Sequence, residues 1–213
     1  MKTLLSYLGA ALALTIFPSA FANPVFYPGE ASISKGKHLV LIASDHEYRA
    51  EETLPALARI LAKHHGFDCT VLFGIDKNGE IKAGYSNIPG LEVLEKADGV
   101  VMFTRFQSLP DEQMMHIDAY LLRGGPIVSL RTSTHGFRSK EGTTFAKYDF
   151  RSKVDGFEGG FGQQVLGQTW VGHYGKNHRQ STRITIIPES AENPILRGVS
   201  DIHVQCGGYN AEP

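Results

Sequence analysis

Four short stretches concentrate the side chains able to do chemistry: "SDHEYR" (Ser44 to Arg49), "TRF" (Thr104 to Phe106), "RTSTHGF" (Arg131 to Phe137) and "WVGHYGKNHRQ" (Trp170 to Gln180). Together they carry Asp45, His46, Glu47, Arg105, Arg131, Thr134, His135, His173 and His178. His135 stands out. Imidazole titrates near neutrality and serves as general acid or base, and Gly136 behind it permits a tight turn. Arg105 and Arg131 stay protonated and are costly to bury unpaired. They suit an anionic or polyhydroxyl ligand, or a structural carboxylate beneath the loops. Asp45 can equally well cap the turn it begins. Glu47 and Arg49 can be a solvated pair of small energetic weight.

The same residue types could ligate zinc. No His-x-x-x-His or His-Glu-x-x-His spacing accompanies them, and no paired cysteines do. The sequence is therefore read as having no metal centre and no cofactor.

Three of the four clusters terminate apolar runs. "KHLVLIAS", "DCTVLFG", "DGVVMFT" and "PIVSL" read as buried strands over 38–43, 68–73, 98–103 and 126–130. "AEETLPALARILAKHHG" is a helix: Leu54, Leu57, Ala58 and Leu61 recur at helical spacing, acids lead, and Gly66 ends it. His64 and His65 suit its carboxyl-terminal turn. "SLPDEQMMHIDAYLLRGG" is a second helix, with Ser108 and Asp111 at capping-box spacing, Pro110 in the first turn and Gly124-Gly125 after it. A polar loop over 75–90 stands where a further helix would go. Strand–helix alternation of this kind builds an α/β parallel sheet with right-handed crossovers. The carboxyl ends of its strands then share one edge, where ligands bind such sheets. Residues 138–164 are aperiodic but carry Phe145, Tyr148, Phe150, Phe157 and Phe161, which suits an ordered covering loop. "STRITIIP" and "DIHVQC" read as two more strands.

The amino terminus reads differently. "MKTLLSYLGAALALTIFPSAFA" has Lys2, an apolar stretch from Leu4 to Phe17, and Ala20-Phe21-Ala22 as a cleavage site. The stretch is too short to span a bilayer comfortably. The expectation is a signal peptide over 1–22, a mature domain over 23–213 starting at Asn23, and a secreted or periplasmic location. No later segment is apolar enough to cross a membrane. Cys69 and Cys206 could pair outside the cytoplasm, but are read as two separate thiols, Cys69 within a strand. Formal net charge is −1 and no Lys/Arg block stands out, which argues against a nucleic-acid partner.

"DHEYRAEETLPALARILAKHHGF", "FTRFQSLPDEQMMHIDAYLLRGGPIVSLRTSTHGF" and "GGFGQQVLGQTWVGHYGKNHRQSTR" resemble the trehalose-utilisation (ThuA-like) family over nearly the whole mature chain. The branch it looks like is secreted and carries "LRT-x-TH". The resemblance implies a flavodoxin-like sheet of the class I glutamine-amidotransferase-like superfamily. In that superfamily a cysteine nucleophile sits on the sharp turn after the strand matched by "PIVSL", and its position falls on Arg131. A guanidinium cannot be a nucleophile, so glutamine hydrolysis is not expected. The resemblance implies carbohydrate metabolism with a small-molecule sugar partner. Arg131 would bind or polarise the ligand, His135 would transfer protons, and Ser133 and Thr134 would offer hydroxyls. Members of the family continue beyond "QCGGYNAEP" with more sheet and a final helix, so the resemblance implies a domain incomplete at its carboxyl terminus.

Two functional readings stay open. One is an enzyme acting on a sugar or oxidised sugar, with His135 catalytic and Asp45, His46, Glu47, Arg105, Arg131, Thr134, Trp170, His173 and His178 binding substrate. The other is a non-catalytic carbohydrate-binding domain using the same pocket. Phe106, Phe137, Trp170 and Tyr174 suit stacking on a sugar under either. Only Asp45 and Glu47 could form a glycosidase carboxylate pair.

Overall fold

The structure is a computed structural model and describes residues 24–212. The expected signal peptide and the expected start at Asn23 lie outside the described residues. The elements are β1 (Val25–Tyr27), β2 (His38–Ser44), α1 (Ala50–His65), β3 (Asp68–Phe73), β4 (Gly99–Thr104), α2 (Asp111–Leu122), β5 (Ile127–Ser129), α3 (Gly160–Leu166), β6 (Thr169–His173), β7 (Thr182–Ile184), β8 (Ile202–Val204) and β9 (Tyr209–Glu212).

The main sheet has the order β1-β3-β2-β4-β5. β2, β3, β4 and β5 are parallel, as the alternation predicts, and β1 adds an antiparallel rim against β3. The chain steps from β2 to β3 on one side and then to β4 on the other. The crevice at the carboxyl ends of β2 and β4 is therefore the topological switch point, the usual ligand site of an open α/β sheet.

Strand periodicity of two divides the core. Val40, Ile42, Leu72, Val100 and Met102 face α2 and the short 3₁₀ turn Leu91–Lys96. Leu41, Ala43, Val71, Phe73, Val101 and Phe103 face α1. Burial on both faces is why these strands read as unbroken apolar runs. α1 stops at Gly66, whose φ of 71° is left-handed and whose N–H returns to Ala62 O.

α2 starts later than the capping-box spacing predicts, at Asp111 behind Pro110, with no side-chain cap. The reason is local: Leu109 precedes a proline and is pushed out of the helical region. The Ser108 N–H goes to Ser86 Oγ, and the Asp111 carboxylate accepts from Thr144.

The segment expected as a covering loop is ordered, and part of it is the helix α3. Phe145, Tyr148 and Phe161 bury into the core beneath it. The two carboxyl-terminal runs form strands of three residues each, β7 and β8, paired with one another in a ribbon apart from the main sheet. Ile184, Ile187 and Ile195 are exposed there. β6 pairs with β9 in a second ribbon. Cys69 and Cys206 are separate free thiols. Burial, with Asp68 alongside, pushes the Cys69 thiol up to about 11. Among the described residues no helix is long and apolar enough to cross a membrane.

Candidate functional site

The carboxyl edge of the sheet gathers the clusters, but not every residue in the expected role. Asp45 closes β2 and is fully buried. Its Oδ1 accepts from the N–H groups of Glu47 and Tyr48, and its Oδ2 accepts from Thr132 Oγ1 at 2.6 Å. With both oxygens engaged and the side chain fully buried, Asp45 builds the turn, the capping role that its sequence position also allowed.

The turn after β5 is strained where the resemblance puts the nucleophile. Arg131 has φ of 26°, unfavourable for a residue with a side chain. It opens the 3₁₀ turn Arg131–His135. Its guanidinium lies between two tyrosine rings, 4.5 Å from the Tyr48 centroid and 4.3 Å from that of Tyr209. Nη2 donates to Tyr48 Oη and Gly207 O, each at 3.0 Å. Ser133 is buried, donates to Met102 O and accepts from the Thr104 N–H. It pins the turn to β4, so it is available neither as nucleophile nor as ligand. Gly136 is required by close approach: a Cβ there would lie 2.6 Å from Thr104 Oγ1.

His135 is 1% exposed within an aromatic cage. Ring centroids lie at 4.6 Å for Trp170, 4.9 Å for Phe106, 5.7 Å for Tyr209 and 6.4 Å for Phe150. The near polar contact is Thr134 Oγ1, 3.4 Å from Nδ1. Burial, and then the charges of Arg105, His173, Arg131 and Arg138, lower its pKa to about 3. His135 is thus a neutral imidazole at pH 7. Burial likewise lowers His173, with Arg131 adding to it.

Glu47 is the hub of the rim. Oε1 meets His178 Nε2 at 2.6 Å and Asn177 Nδ2 at 3.3 Å. Oε2 lies 2.9 Å from Arg105 Nε, an ion pair by distance but out of line for a hydrogen bond. Arg105 Nη1 is 2.6 Å from His46 Nε2. A guanidinium only donates, so His46 accepts there and carries its proton on Nδ1. Arg49 pairs with Glu52 rather than Glu47.

Of the expected stacking residues, Phe106 and Trp170 line the cage. Phe137 is instead buried in the core against Tyr148 and Phe161, and Tyr174 is 66% exposed. Sequence reasoning missed Tyr48, Gln107, Arg138, Phe150 and Tyr209. Gln107 is fully buried, and its Nε2 lies within hydrogen-bond distance of the carbonyls of Ser44, Gly84 and Arg105, which share its two N–H groups. It ties the β2 and β4 ends to the 75–90 loop. Its place directly after "TRF" was the available signal. Tyr209 offered none, because only the fold brings the last strand back to Arg131.

A cleft of about 320 Å³ runs beside β5 and is lined by Ile127, Ser129, Arg131, Thr134, Val165, Leu166 and Gln168. Another, of about 330 Å³, lies in the 139–154 segment and includes no residue of the strand-end clusters. Among the described residues no group of three or more His, Cys, Asp or Glu could hold a metal ion. Comparison of the chain with known family models, with curated proteins and with solved structures yields no match. The ThuA-like resemblance therefore rests on its motifs.

Proposed function

We propose that the chain is an exported ThuA-like domain with a flavodoxin-like sheet, acting on a sugar or oxidised sugar at the carboxyl edge, without glutamine amidotransferase activity. The observation that carries the reading is Arg131. A guanidinium held between two tyrosines occupies the strained residue after β5, with His135 in the same 3₁₀ turn. No thiol chemistry fits that position.

In this reading His135 transfers the proton. Uncharged at neutral pH, it acts first as acceptor. With a keto-sugar, the C–H bond beside the carbonyl breaks and the proton passes to an imidazole nitrogen. The electron pair moves onto the carbonyl oxygen, and Arg131 and Arg105 offset the charge formed there. The imidazolium then returns the proton, a step its acidity favours. Hydrolysis by a carboxylate pair gains no support, since Asp45 is fully engaged and Glu47 is paired with Arg105 and His178.

One observation favours a second reading, a non-catalytic sugar-binding domain: no carboxylate among the described residues hydrogen-bonds His135. Screening sugars and keto-sugars for binding and conversion separates the two. We expect His135→Gln to cut turnover by about 10²–10⁴-fold while affinity stays within about tenfold. Arg131→Gln should weaken binding instead. A wild-type protein that binds sugars and converts none establishes the second reading, and one that binds no sugar removes both.

A further inference from the structure

Around Arg131 and His135 the described residues leave several buried polar atoms without partners: Arg131 Nε, Trp170 Nε1, His173 Nε2 and the Tyr209 hydroxyl, while the idle amide oxygens of Asn177 and Gln107 lie with Glu47 and Arg105. The first four belong to one contiguous cluster. Arg131 lies over the Tyr209 ring, His173 is 5.0 Å from Tyr209 and 5.5 Å from Trp170, and Trp170 touches His135. The cluster is biased in its chemistry. Arginine Nε–H and indole N–H are donors only, a phenol donates readily, and imidazole can donate from Nε2. Buried polar groups in folded proteins are nearly always satisfied, so a set of idle donors implies an acceptor.

Charge points the same way. Arg105, Arg131 and Arg138 all act on His135. The rim carboxylate Glu47 is already shared between Arg105 and His178. Among the described residues Arg131 pairs with no carboxylate; its hydrogen bonds go to a phenol and a carbonyl. A half-buried guanidinium left this way favours an anion. Of the cluster, Arg131 lines the cleft beside β5, with Thr134 near it in the same turn.

We infer that this site takes an anionic sugar, one bearing a carboxylate, whose oxygens accept from Arg131, Trp170, His173 and Tyr209. The inference rests on the sugar reading above and narrows its substrate class. A carboxylate supplies acceptors only, and so complements two donor-only groups, Arg131 Nε–H and the Trp170 indole, flanked by a phenol and an imidazole that can also donate. Its charge would also counter the arginine field on His135 and make the imidazole a better proton acceptor, although the larger, burial-derived part of the shift would remain.

The test is titration calorimetry on the whole protein at pH 7 and low salt, with D-galacturonate, D-galactose and acetate. The two sugars differ only in the C6 carboxylate. Galacturonate should bind at least about tenfold more tightly than galactose, the worth of about one charge-assisted hydrogen bond. Arg131→Gln should abolish the preference. Tyr209→Phe, which keeps the ring against Arg131, should weaken galacturonate about threefold or more and leave galactose unchanged. Equal affinity for the two sugars, or binding of galactose alone, overturns the inference and leaves the sugar reading standing. Acetate binding that depends on Arg131, with neither sugar bound, upholds the anion site and sinks the sugar reading. Failure of every acid to bind overturns the inference.

Discussion

Thr132 Oγ1 donates to Asp45 Oδ2 at 2.6 Å, so the turn after β5 is fastened to the turn after β2. The strand between them, β4, is bridged at its carboxyl end. The first turn thereby sets where Arg131 and His135 stand relative to Glu47 and Tyr48.

Thr132→Val should expose that dependence. It keeps the shape, removes the donor and leaves one oxygen of a fully buried carboxylate unpaired, at a cost of about 1–3 kcal/mol. Urea unfolding should show the loss as a lower midpoint with an unchanged slope. Ligand affinity should fall with it, because Arg131 is the neighbouring residue. A variant as stable as wild type would mean the bond carries no tension between the turns.

His135 gives the protein a distinctive acid response. Its folded pKa of about 3 lies below the ordinary 6.5. The unfolded chain therefore takes up the proton first as pH falls. The stabilisation is complete above about 6.5 and declines toward about 3, at up to about 1.4 kcal/mol per pH unit. His135→Gln removes this contribution. Plotted against pH, the stability difference between wild type and variant should shrink below 6.5, and a constant difference would show that the imidazole titrates normally.

The expectation of a cleaved leader makes a separate prediction. Protein recovered from a periplasmic fraction should begin at Asn23 on amino-terminal sequencing, and intact Met1 on cytoplasmic protein would overturn the expected export.

The parallel sheet was legible because its strands are buried on both faces, and such strands appear in sequence as bounded apolar runs. Gly66 marked the end of α1 for an equally local reason. The carboxyl-terminal third was harder. Its strands are three to five residues long and partly exposed, and β6 finds β9 across the whole β7–β8 ribbon. The positions of Asp45, Arg105 and Arg131 were also legible, since strand ends of one parallel sheet share an edge. Their roles were not. An aspartate that accepts two amide protons and a threonine hydroxyl is spelled the same way as one that grips a ligand. Tyr48 and Tyr209, which sandwich Arg131, come from opposite ends of the domain.

Trp170 is the single tryptophan of the chain, and its ring lies against His135 with the indole N–H buried. All intrinsic indole emission therefore originates inside the candidate site. The protein carries a built-in fluorophore there, and its colour and quenching will follow the polarity and occupancy of that one cage without any attached dye.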